Sequence, residues 1–222
     1  MCFSPEASFA GGAVISSIGV VTLKKVRTPS QKVFAGIPLF FGIQQIAEGF
    51  VWVTVPRPDD VLALQTSMYI FLLMARVIWP MLIPLAVFLM EENAEKKRIL
   101  KILLGMGLSV SLYYTYCLIF LHAVPHISGH HIRYDTDYPD SLAVPVFIIY
   151  FVASLTPLFL SSLKRTRVVG VLMFLSAVVT LILFMDYLTS VWCFFAAVIS
   201  IVIYWIIGVP TKENTSAVRQ ST

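Results

Sequence analysis

The residues with the most chemistry to offer stand where chemistry is expensive. Glu48 and Arg76 each lie inside a long apolar run, and Gln44 and Gln45 precede Glu48 by one helical turn. A charge at mid-bilayer costs ~2.5–3.5 kcal/mol on insertion scales, so each calls for a reason. Gln44, Glu48 and Trp52 are spaced i, i+4, i+8 and share one helix face, with Gln45 beside them. Arg76, on the next antiparallel segment, has the reach to approach Glu48. Two readings are open: a Glu48–Arg76 pair that only fixes helix register, or charged contacts for a ligand. Asp186 and Trp192 near the chain's last apolar segments would add a rim acid and an aromatic wall. Glu48 and Asp186 are also the candidates for a catalytic base.

A second constellation lies between residues 122 and 141. It holds all four histidines, His122, His126, His130 and His131, followed by Asp135, Asp137 and Asp140. Imidazoles with carboxylates bind zinc or copper. His122, His130 and His131 are the candidate ligands, and they support the alternative of a membrane-embedded, metal-assisted hydrolase or transferase. No closed metal motif is present, and a solvated His-rich outer loop is the stronger reading. The run His131–Ile132–Arg133–Tyr134 alternates in polarity and predicts a short strand or lid, with Gly129 providing the turn.

The elements that must position these groups are seven apolar segments, approximately 8–23, 33–54, 66–90, 99–121, 142–161, 168–187 and 188–208. Each approaches the ~20 residues needed to cross a hydrocarbon core of ~30 Å. The chain is 58% hydrophobic and only 13% charged, against about 25% charged in soluble domains. Thirteen of its sixteen Lys and Arg residues fall in alternate gaps and in the tail: at 24–32, 96–101, 164–167, 212 and 219. Positive charge stays cytoplasmic, so the N-terminus reads as outside and the C-terminus as inside. The expected fold is therefore an all-α polytopic bundle of seven transmembrane helices in the cell membrane. Residues 1–209 form the membrane domain and 210–222 a disordered cytoplasmic tail. The net charge of +4 is a topology signal and argues for no nucleic-acid partner; the partners are the lipid bilayer and a small molecule, and a homo-oligomer is left open.

The deep polar residues gather in the outer half of the bundle. This predicts an outward-facing pocket of Gln44, Gln45, Glu48, Trp52, Arg76, Asp186 and Trp192 that binds a small polar or amphipathic ligand for transport or sensing. All three cysteines fall toward the outer face. They permit a Cys2–Cys193 disulfide, or act as small packing residues at Cys117 and Cys193. Walker loops, dinucleotide fingerprints and the Gly-x-Ser-x-Gly elbow are all missing.

Four motifs are unusual together: Met1-Cys2-Phe3-Ser4 with Glu6 and Ser8; Gln44-Gln45-x-x-Glu48-Gly49-x-x-Trp52; Gly129-His130-His131-Ile132-Arg133-Tyr134; and Ser190-Val191-Trp192-Cys193. With them the chain resembles, from residue 2 to about 205, a prokaryotic family of polytopic membrane proteins known only as a domain of unknown function. The resemblance implies a seven-helix membrane fold and no particular activity.

Overall fold

The computed structural model of the chain describes residues 4–57, 59–129, 131–183 and 195–208. Among these, seven helices carry the fold: α1 Pro5–Lys24, α2 Lys32–Thr54, α3 Val61–Met90, α4 Ala94–Phe120, α5 Asp140–Leu160, α6 Thr166–Leu183 and α7 Ala196–Gly208. The first five are long and apolar enough to cross a membrane, which fits a membrane location; α6 and α7 are shorter apolar helices. The sequence places the junction of the last two segments at 187–188, and that junction lies outside the described residues. Asp186, Trp192, His130, Cys2, Cys193 and the tail from 210 also lie outside them.

Local chemistry sets the ends. The Ser4 side chain accepts from the Ala7 amide at 3.2 Å, with Pro5 in the first turn, and caps α1. Asn93 caps α4 in the same way, accepting from the Lys96 amide at 3.0 Å. The helices then pack in sequence order around a ring, α7 closing it against α1 and α2. On α1 and α2 small residues let the backbones approach: a side chain at Gly42 would meet Ser16, and one at Gly12 would meet Ile46. Outward faces of the helices are apolar, with Val14, Ile102, Leu112, Val144, Ile182 and Ile201 all exposed.

Helix α3 departs from regular geometry. Residues Leu73–Ile78 form a π turn between two α-helical halves. Its cause is visible in the sequence, because Pro80 and Pro84 have no amide hydrogen to give the carbonyls four residues earlier. Hydroxyls from other helices take up backbone oxygens there. Ser111 Oγ donates to the Val77 carbonyl at 2.6 Å, and Tyr150 Oη donates to the Ala75 carbonyl at 2.8 Å. Gly107 of α4 makes room for this by lying directly against the Pro80 carbonyl.

One end of the bundle is basic, where α1 ends, α2 begins, and the 91–93 and 161–165 turns lie. Glu91 ties those two turns together. Its buried carboxylate accepts from the amides of Glu92 at 3.1 Å, Asn93 at 3.0 Å and Ser162 at 2.7 Å. Burial pushes its carboxyl up, but hydrogen bonds from Ser162, Asn93 and Glu92 outweigh that and hold it below the ordinary value.

The other end carries a hairpin, β1 Ala123–Ser128 paired antiparallel with β2 His131–Thr136. Gly129, at φ +60, opens the turn. Alternation sends Ile132 and Tyr134 toward the bundle: Ile132 is buried, and the Tyr134 ring stacks on Phe71 with centroids 5.0 Å apart. Arg133 and Asp135 face outward and join at 2.7 Å. The expected strand is thus present, packed on α3.

Candidate functional site

Beneath the hairpin a cavity of about 430 Å³ runs into the bundle, within the ~300–1,000 Å³ typical of small-molecule sites. It extends along α5 from Asp140 to Ser154, fourteen residues or ~21 Å at the helical rise. Arg76 projects into it from the π turn of α3. Tyr113 and Tyr114 come from α4, Tyr150 and Phe147 from α5, Phe41 and Gln44 from α2, and Met173 from α6. Thr136 and Tyr138, from the hairpin and the loop after it, complete the wall.

Each fixed wall has a stated partner. Trp79 Nε1 donates to Gln44 Oε1 at 2.7 Å, and the Trp79 ring lies 4.1 Å from that of Phe41. This sets both aromatic planes against the cavity. The Arg76 guanidinium lies over the Tyr138 ring at 4.8 Å and the Tyr114 ring at 5.6 Å, cation–π contacts worth ~2 kcal/mol when desolvated. Among the described residues Arg76 has no carboxylate within 4.0 Å and no hydrogen-bond acceptor. The hydroxyls of Tyr138 and of fully buried Ser154 have no hydrogen-bond partner among the described residues either. Burial pushes the Tyr138 phenol up, and the neighbouring Arg76 charge partly opposes that.

The structure divides the expected site. Gln44 and Arg76 line the cavity; Gln45, Glu48 and Trp52 do not. Glu48 is fully buried and accepts a hydrogen bond from Gln45 Nε2 at 3.0 Å. No Glu48–Arg76 ion pair forms, contrary to the sequence expectation: the π turn carries Arg76 toward α4 and the hairpin loop, where the tyrosines hold it. Trp52 packs with Met68, Phe71 and Ile132 beneath the hairpin. Asp186 and Trp192 fall outside the described residues. Sequence reading missed Tyr114, Tyr138, Tyr150 and Ser154. Only Tyr150 had a signal in the sequence: Pro80 lacks an amide hydrogen, which leaves a carbonyl of α3 for a hydroxyl to meet, and Tyr150 meets that of Ala75.

The described histidines, His122, His126 and His131, do not converge on one site. His122 Nδ1 approaches Asp137 and His126 Nε2 approaches Asp135, each at 3.5 Å and well exposed. Among the described residues no three His, Cys, Asp or Glu side chains gather as metal ligands. His131 sits at the hairpin turn, paired in register with Ser128, and His130 is outside the described residues. Zinc or copper chemistry therefore has no donor set among the described residues. Cys117 is a buried free thiol.

The chain belongs to a family of unknown function, DUF6629, whose model matches residues 1–219. No curated protein matches it. No solved structure matches it either.

Proposed function

We propose that this member of a family of unknown function is a seven-span protein of the cell membrane, its N-terminus outside and its C-terminus cytoplasmic. The cavity binds a small polar or amphipathic ligand arriving from the outer face, for transport or sensing. One observation carries the reading: a charged guanidinium reaches a sizeable cavity among aromatic rings, with no protein acid to neutralise it among the described residues. A purely structural arginine would be expected to carry a paired carboxylate or carbonyl. The orientation rests on the uneven split of flanking positive charge. It puts the hairpin and Asp140 at the outer surface and the Glu91 turns at the inner one.

Single cysteines in a chain cleared of its native ones test both parts. A membrane-impermeant thiol reagent applied to intact cells should label cysteine at Asp60 or Asp137 and spare cysteine at Ser30 or Glu92. Cysteine at Ser154, deep in the cavity, should react from the same side but more slowly than at Asp137. Labelling at Ser30 without Asp60 would reverse the orientation. A silent Ser154 position beside a reactive Asp137 would close the pocket to the outside.

A further inference from the structure

The walls of the cavity differ in charge along its length, and this narrows what fits. Among the described residues its inner part holds one charge, Arg76, and otherwise neutral surfaces such as Phe41, Trp79, Ile83 and Met173. Its acid, Asp140, is exposed at the rim in the first turn of α5. The two tyrosine rings engage the guanidinium by cation–π contact. Contact of that kind supplies no oxygen acceptor for the guanidinium's N–H donors. None of those donors has an acceptor among the described residues. The acceptors that match their fork bidentately are carboxylate and phosphate, and one guanidinium balances the single charge of a carboxylate.

We propose that the ligand is an organic monoanion: one carboxylate on a flat or extended apolar body. The inference rests on reading the cavity as a binding pocket. The carboxylate meets Arg76, and the body lies along Phe41, Trp79 and Met173. A cation is repelled by Arg76. A neutral isostere leaves the guanidinium desolvated and unmatched, which is the costly state. A second carboxylate on the body would lie among the neutral walls of Phe41, Trp79 and Met173, with no cation to meet it among the described residues. The buried Ser154 hydroxyl, unpartnered among the described residues, accommodates one polar substituent at the deep end. Such an acid arrives from water as an aromatic acid or from the bilayer as an alkyl acid.

The test is equilibrium binding to the full chain purified in detergent, with five probes: benzoate, benzamide, benzylamine, phthalate and decanoate. Benzoate or decanoate should bind, whichever is tighter naming the aqueous or the bilayer source. Benzamide and benzylamine should bind at least about 30-fold more weakly than benzoate, the loss expected when one partner of a buried charge pair is truncated. Phthalate should be weaker than benzoate, because its second carboxylate is buried with no cation to meet it among the described residues. Arg76→Gln should erase the preference for benzoate over benzamide. Benzamide or benzylamine binding as well as benzoate would overturn the monoanion and leave the pocket standing. Failure of all five probes would overturn the pocket itself. The probe comparison uses the unaltered protein, so it decides the matter even where Arg76→Gln does not fold.

Discussion

Replacing Glu91 by Gln probes the clamp that fixes the inner ends of three cavity walls, α3, α4 and α5. In the native protein one carboxylate accepts three backbone amides, from Glu92, Asn93 and Ser162, at 2.7–3.1 Å. A hydrogen bond to a charged group contributes ~1.5–3 kcal/mol, against ~0.5–1.5 for a neutral one. The amide keeps one acceptor oxygen, so at least one of the three bonds is lost and an N–H₂ faces an N–H donor. The remaining bonds lose their charge assistance. Less burial of charge offsets part of this, leaving a net loss of about 2 kcal/mol, or about 4–8 °C in midpoint for a chain of this size. Thermal unfolding of the detergent-purified protein followed by intrinsic fluorescence would read it. The pH dependence adds a second criterion. Because the folded carboxyl sits below its ordinary value of 4.5, its stabilisation is complete above that value and disappears as pH falls through the folded one. The gap between native protein and variant should therefore be full at neutral pH and shrink below pH 4.5. Equal midpoints at neutral pH, or a gap unchanged in acid, would refute the clamp.

Gly107→Ala should destabilise by ~1–3 kcal/mol in the same assay, because the new methyl collides with the Pro80 carbonyl. Gly105→Ala, whose methyl meets open space, should be neutral or slightly stabilising. Tyr134→Ala should free the hairpin, raising protease cleavage within 123–136 by removing the stack on Phe71, whereas Arg133→Ala on the exposed face should leave the cleavage rate unchanged.

Much of the fold was legible from one dimension. Apolar length fixed the helices, because a backbone in hydrocarbon must satisfy its own hydrogen bonds and an α-helix does so locally. Period-two alternation from His131 to Tyr134 and the glycine before it announced the second strand and its turn, because faces and turns are local properties of the chain; the partner strand Ala123–Ser128 was not foreseen. Arg76 and Gln44 could be chosen because a polar side chain in an apolar run is visible wherever it points. Where Arg76 points was a tertiary matter. A regular helix would have kept the phase that suggested Glu48, but the π turn at Leu73–Ile78 adds a residue to one turn and rotates the rest of the helix by ~100°. Ser111 and Tyr150, 34 and 75 residues away, donate to its carbonyls and so support the turn that the prolines start. The cavity was likewise decided in space. Tyr138 from a loop and Tyr114 from α4 share no sequence pattern, and packing alone brings them to one guanidinium, with Ser154 of α5 lining the same cavity.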